Sequence, residues 1–224
     1  MKKYFAIALM FSLAIATFSC GETEEEKQKR KEEAKKNNPF MALAKLGKSI
    51  KDAGKQMEAD EMSYQQKLRE RQAKGDTIAI NYKDLQKYLP ASLDGYKAEK
   101  PTGGTINATG MSYSNAEIRF KKDNGDYVHV ALLDYNAAYG LFTMATSMWN
   151  LGMNLETDEE KAGTLKLDNG ITGWESIKKK EHNASVVLGI GYRFLLTVDA
   201  SNQDDTELVK SVAKEIKLDD LAKM

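Results

Sequence analysis

Residues 111–133 read MSYSNAEIRFKKDNGDYVHVALL, and this stretch decides the fold class. Apolar and polar residues alternate over 116–120, and an apolar partner segment returns over 127–133. A period of two is typical of a β-strand with one buried face. Asp-Asn-Gly at 123–125 stands between the two segments, and Asn-Gly suits the left-handed positions of a type I′ turn. The stretch therefore predicts an antiparallel β-hairpin.

Further strands are predicted along the rest of the chain. A second Asp-Asn-Gly turn, at 168–170, separates strands predicted at 163–167 and 172–180, and two more are predicted at 184–190 and 192–199. Four apolar residues of the last strand share one face: Tyr192, Phe194, Leu196 and Val198. A short strand is also predicted at 77–80, whereas 102–105 is predicted to be a loose connection.

Helices are predicted before, between and after the hairpins. One or two turns over 83–89 end at Pro90, and a charge-free segment predicts an apolar helix over 136–153. Asp205 is expected to cap a last helix, whose buried stripe is Leu208, Val209, Val212, Ala213 and Ile216. The sequence thus predicts an α+β fold. It has a mainly antiparallel sheet built from hairpins, a central apolar helix and a C-terminal helix, preceded by a long N-terminal helix.

The first 19 residues are predicted to be a signal peptide rather than part of the fold. Lys2 and Lys3 precede an apolar run over 4–17, which is shorter than the ~20 residues of a comfortable membrane span. The alternative is an N-terminal anchor that is not cleaved. The short run with its basic flank favours a cleaved secretory signal.

The only cysteine of the chain, Cys20, lies where this signal ends and follows the small Ser19. This arrangement resembles the lipobox of bacterial lipoproteins. The resemblance implies cleavage between Ser19 and Cys20, a diacylglyceryl thioether on Cys20 and N-acylation, as in palmitate-bearing lipoproteins. Gly21 in place of Asp favours the outer membrane. The acidic run 22–26 resembles a surface-export signal of the Bacteroidota, and the alternative is a solvated tether.

Three segments are predicted after the signal: a lipidated charged tether over 20–38, a helical stalk or linker over 39–75, and a globular domain over 76–224. Within the second, apolar residues recur every seven positions, as in a coiled coil: Leu43, Ile50, Met57 and Tyr64. The helix at 40–74 is thus also a candidate site for a protein partner. A helix packed on its own domain is the other alternative.

Candidate site residues are few. The apolar segment places Phe142, Met144, Met148 and Trp149 on a helix that either packs as core or lines a site for an apolar ligand. Asp76-Thr77-Ile78 resembles a short O-glycosylation motif of the Bacteroidota, with Thr77 as acceptor. His129 lies in a strand, and His182 is expected at a turn.

Composition narrows the function classes. The chain has 33 basic and 33 acidic residues, a balance that argues against a nucleic-acid-binding protein. One cysteine and two histidines offer few ligands for a metal site, and the sequence contains no catalytic or nucleotide-binding motif. We therefore expect no metal and no cofactor.

Segments 89–96 and 113–120 resemble an uncharacterised group of bacterial envelope proteins with an export signal, a helical lead and a C-terminal α+β domain. The resemblance implies location and fold only. The prediction is a non-enzymatic, membrane-anchored lipoprotein that binds a ligand or partner in the envelope. The alternative is a hydrolase-like envelope enzyme whose active site involves His129 or His182.

Overall fold

The computed structural model describes residues 28, 54–55, 58–59, 61–109, 111–136, 142, 146, 149, 152–167 and 171–224. The elements described here all belong to the unit Ser49–Met224. Several predictions lie outside the described residues: the signal peptide with Ser19 and Cys20, the acidic tether, the turn at 168–170, Met144 and Met148.

A nine-stranded antiparallel sheet forms the body of the described fold. The strands are β1 (Lys97–Ala98), β2 (Thr102–Ala108), β3 (Met111–Lys121), β4 (Tyr127–Asp134), β5 (Asn154–Glu156), β6 (Glu160–Lys166), β7 (Thr172–Lys178), β8 (Asn183–Ile190) and β9 (Phe194–Ala200). Their order is β1-β3-β4-β9-β8-β7-β6-β5, and β2 also pairs with β3. Neighbouring strands pair antiparallel, which confirms the predicted α+β class and strand direction.

Short helices flank the sheet. Helix α1 covers 61–73, α2 is Tyr82–Leu85 with a 3-10 turn at Gln86–Tyr88, α3 is Glu207–Glu215 and α4 is Leu218–Ala222. The N-cap of α3 is Thr206 rather than the predicted Asp205, and the Asp205 carboxylate accepts a hydrogen bond from the Glu207 N–H at 2.9 Å from one residue further out. The stripe of α3 faces the core, since Val209, Val212 and Ala213 are buried.

The two faces of the sheet differ. Alternate residues of the four central strands, such as Ile118, Val130, Val186 and Val198, are buried in one apolar core together with residues of α2, α3 and α4. The residues between them point to the opposite face, where most side chains stay partly exposed. We call that opposite face the open face.

Two strand predictions are wrong, and each has a physical reason. Residues 77–80 form no strand, because the N–H groups of Ala79 and Ile80 bond to the side chains of Ser112 and Asp134 rather than to a neighbouring strand. Conversely, 102–105 belongs to β2. A Cβ at Gly103 would collide with the Asn115 carbonyl oxygen, so this glycine permits close strand pairing.

Turn types also differ from prediction. Gly125 has a φ of 94°, whereas Asn124 is not left-handed, so the 123–125 turn is not type I′. The type I′ pattern stands instead between β8 and β9, where Gly191 and Tyr192 have φ values of 60° and 55°. Tyr192 therefore lies in this turn and not in the predicted strand.

Within the predicted central helix, Phe142, Thr146 and Trp149 are buried or partly buried, whereas Gly152 and Met153 at its end are exposed. Phe142 and Thr146 are helical, and Trp149 lies in a 3-10 turn. Phe142 and Trp149 are 5% and 6% exposed. Met153, the predicted end, is not helical, and β5 begins at the next residue.

Candidate functional site

A continuous row of polar side chains crosses the open face. Strand register places Arg119 of β3, His129 of β4, Asp199 of β9, Ser185 of β8 and Ser176 of β7 side by side. With ~4.8 Å between strands, the polar row spans about 19 Å across five strands. Side chains far apart in sequence thus come together on one surface.

A hollow of about 300 Å³ lies along this row. Short side chains such as Ser176 and Ser185 line it together with the longer Arg119, Tyr127 and Lys178. The Arg119 guanidinium carbon lies 5.0 Å from the centre of the Tyr127 ring, so these two side chains support each other at the rim. The hollow is therefore shaped by a contrast in side-chain length.

The next rows show where the open face is covered. One row runs from Glu117 across Ala131 and Thr197 to Val187 and Trp174. Beyond it, a Cβ on Gly189 would lie 2.9 Å from Trp149 and 3.3 Å from Phe142. The described residues of segment 142–149 thus pack over the Gly189 end of the face, which leaves the polar row and the row beside it accessible.

His129 of the polar row lies between two carboxylates, Asp199 in the same row and Glu117 in the next row. Its Nε2 is 3.0 Å from Glu117 Oε2, a hydrogen bond, and its Nδ1 is 3.9 Å from Asp199 Oδ2, a charge contact. Glu117 also accepts from the Thr102 hydroxyl at 3.0 Å. The Ser185 hydroxyl donates to Asp199 Oδ1 at 2.7 Å. The arrangement holds each of these groups in place.

The pKa values follow from this geometry. Asp199 and then Glu117 raise the pKa of His129 above its ordinary 6.5, against the opposing effect of burial. The Thr102 hydroxyl and His129 lower the pKa of Glu117. Burial alone would raise the pKa of Asp199, but His129 and Ser185 outweigh it and lower that pKa. His129 therefore holds a proton more readily than a free imidazole.

We expect His129 to make the fold more stable at mildly acidic pH. Because its pKa is raised in the folded state, its contribution is complete below about 6.5 and is lost as pH rises through the folded-state pKa. Urea unfolding at a series of pH values between about 5 and 9 tests this. The free energy of unfolding of wild type should exceed that of His129→Gln by the largest amount at the acidic end.

A direct titration checks the same prediction. His182→Gln leaves His129 as the single imidazole, so its NMR signal can be followed without assignment. A midpoint below 6.5, or a stability difference that grows with pH, would contradict the prediction.

The polar groups that face the His129 ring in the described part of the chain do not include a hydroxyl or thiol. A hydrolase of the Ser–His or Cys–His type needs such a group within reach of the base. Here both imidazole nitrogens face carboxylates, and the Ser185 hydroxyl donates to Asp199 instead. His182 lies at the predicted turn, where its Nδ1 is 2.7 Å from exposed Asp204.

A buried polar network lies elsewhere, and no local pattern in the sequence indicates it. Arg193 is 2% exposed, and Asp134 is fully buried. The Nε and Nη2 groups of Arg193 each donate a hydrogen bond of 2.8 Å to the Asp134 carboxylate. Its Nη1 lies 2.6 Å from Asp76. The Asn136 amide donates to Asp76 and to the Ile78 carbonyl at 2.9 Å. The network fixes the chain after α1 to the end of β4.

The other candidate residues from the sequence differ in exposure. Thr77 is exposed, so its hydroxyl is accessible, and its glycosylation stays a prediction. Apolar-ligand binding by Phe142 and Trp149 also stays a prediction; both side chains are buried against the sheet. Within the described part of the chain, no group of three or more His, Cys, Asp or Glu residues could hold a metal ion.

No family model, no curated protein and no solved structure matches this chain. Among the residues whose structure is described, no helix combines the length and apolar character needed to cross a bilayer.

Proposed function

We propose that this chain is a lipid-anchored bacterial envelope protein that works by binding, and that the hollow on the open face is its binding site. The position of His129 carries the choice of binding over catalysis. Both of its ring nitrogens are directed at carboxylates rather than at a hydroxyl that it could activate. A catalytic base needs a free lone pair beside the group it deprotonates.

The surface of the hollow supports binding in another way. It presents charged groups, hydroxyls, an amide and an aromatic ring within one concave area. Concave sites with a few converging polar groups are typical of ligand binding. Arg119 and Lys178 line the same hollow as the acidic Asp199. This mixture of positive and negative charge disfavours binding of a polyanion such as nucleic acid.

Anchoring is supported by residues 1–20 of the sequence. A basic start, a short apolar run and Ser19-Cys20 match the order of a lipoprotein signal. Two or three acyl chains on Cys20 give stable attachment, because each buried methylene contributes about 0.8 kcal/mol.

We propose the outer membrane as the location. We further propose that an apolar helix lies within 137–151, and that 40–74 is helical and offers a surface to a protein partner.

Cys20→Ser tests the anchor. In the native host, the wild-type protein is expected in the membrane fraction, and the variant in the soluble fraction or as unprocessed precursor, because serine cannot form the thioether. Fractionation and metabolic labelling with a palmitate analogue measure both effects.

Ser19→Ala is the matched control, since alanine keeps a small residue before the cleavage point. It should be labelled and sedimented like wild type. Membrane attachment and labelling that persist unchanged in Cys20→Ser would refute the lipoprotein assignment.

A further inference from the structure

We propose that the hollow on the open face binds a neutral oligosaccharide. This inference rests on the proposed binding function and names the class of ligand. It is carried by three features of the described residues: the mixture of hydrogen-bond donors and acceptors, the balance of charge, and aromatic rings on the same face.

Donors and acceptors are interleaved along the hollow. Arg119, Lys178 and Asn183 offer N–H groups, and Asp199 offers carboxylate oxygens. Asp199 uses Oδ1 for Ser185, but each carboxylate oxygen has two acceptor positions, so capacity remains. A sugar hydroxyl both donates and accepts. A ligand with many hydroxyls therefore matches this alternation better than one with acceptors alone.

The fixed charges favour a neutral ligand. Arg119 and Lys178 are the permanent cations of the hollow, His129 also lines it and adds a positive charge when protonated, and Asp199 and the adjacent Glu117 are its carboxylates. Glu117 and Asp199 have lowered pKa values, so both are ionised at neutral pH. A polyanion would meet these two carboxylates, and a polycation would meet the two cations. Like charges brought together without water cost binding energy.

Two aromatic side chains lie on the same face. Tyr127 lines the hollow under Arg119, and Trp174 is half-buried two residues from Ser176 on β7. Aromatic rings give apolar contact area next to polar groups. The C–H face of a sugar ring packs on such a surface while its hydroxyls reach the polar row.

The shape also fits an elongated ligand. The polar row crosses five strands, about 19 Å, and the short Ser185 and Ser176 occupy its end on β8 and β7. Phe142 and Trp149 cover the Gly189 end, so the accessible part of the face forms a band across the strands. A chain of several sugar rings would lie along this band.

Calorimetric titration of the purified full-length protein in a detergent without a sugar headgroup tests the proposal. The probes are neutral tetrasaccharides of glucose, mannose, galactose and N-acetylglucosamine, with a heparin-derived tetrasaccharide as the charged comparison. At least one neutral probe is expected to bind saturably. Arg119→Gln should weaken that binding about tenfold or more, the usual effect of losing a hydrogen bond from a charged group.

Arg69→Gln is the matched control, since Arg69 is an exposed arginine on α1. It should leave the affinity unchanged. Trp174→Phe provides a second readout, because the wild-type tryptophan emission should shift with ligand and the variant's response should be reduced. Arg119 is exposed, so its replacement leaves the fold intact.

Three results would overturn the saccharide proposal: no saturable binding of any neutral probe up to about 10 mM, stronger binding of the heparin tetrasaccharide, or equal affinity in Arg119→Gln and wild type. None of these affects the lipid anchor, which Cys20→Ser tests separately. Failure of the ligand class and failure of the anchored-protein proposal are therefore distinguishable.

Discussion

Asp134→Ala is expected to lower the free energy of unfolding by about 3–5 kcal/mol, because it leaves a buried arginine without its main partner. Asp134 is fully buried, and Arg193 is 2% exposed. The two oxygens of Asp134 accept from Arg193 and also from the N–H groups of Ile80 and Asn136. Alanine removes all four hydrogen bonds at once.

Urea unfolding followed by circular dichroism measures this loss. Asp123→Ala is the matched control, because Asp123 also pairs with a cation, Lys97 at 2.6 Å, but both side chains are largely exposed. Exposed pairs contribute little, so the control should unfold at the wild-type urea concentration. Equal midpoints for the two variants would show that burial of the Arg193 pair has no energetic importance.

The same network fixes the end of α1. Asp76 follows α1 in the chain, and its carboxylate accepts from Arg193 and Asn136. Arg71 of α1 is also buried, and its Nη1 lies 3.5 Å from the Gly191 carbonyl. Burial and then the nearby Arg193 lower the pKa of Arg71. The domain end of the proposed stalk is thus held by side chains inside the fold.

The strands were largely predictable from local patterns. Apolar and polar residues alternate strictly over 116–120 because one face of that strand is buried, whereas 184–190 is mostly apolar and reads as a strand although Val187 lies on the open face. The exceptions involve residues whose environment is set from a distance. Glycines in β2 look like a loose connection until a strand packs closely against Gly103. Residues 77–80 have strand composition, but side chains from β3 and β4 take their N–H groups.

The candidate site was not predictable for a different reason. Arg119, His129 and Asp199 come from three strands, and β9 lies between β4 and β8 although it follows β8 in the chain. Local patterns indicate which residues share a face of one strand, and turns indicate which consecutive strands pair, but neither indicates that β9 lies beside β4. Asp199 was therefore not visible as a partner of His129. The Asp134–Arg193 pair was missed likewise, because nothing local joins residues 59 positions apart.

Gly173→Ala is expected to destabilise the fold by about 2–3 kcal/mol through overpacking. Gly173 is buried in β7 opposite Leu188 of β8. An added Cβ would collide with the Val187 carbonyl oxygen and lie 2.7 Å from Leu188 Cδ2. Because the obstacle includes backbone, relief requires β7 to move away from β8.

This movement would reach the open face, since Trp174 and Ser176 follow Gly173 on the same strand. Urea unfolding measures the stability loss, and the combined emission of Trp174 and Trp149 reports the displaced strand. Gly104→Ala is the matched control in β2, because its Cβ would meet only Asn115 Oδ1 at an ordinary 3.6 Å. If Gly173→Ala were as stable as Gly104→Ala, the close approach of β7 and β8 would not constrain this position. The geometry of the hollow would then not depend on that glycine.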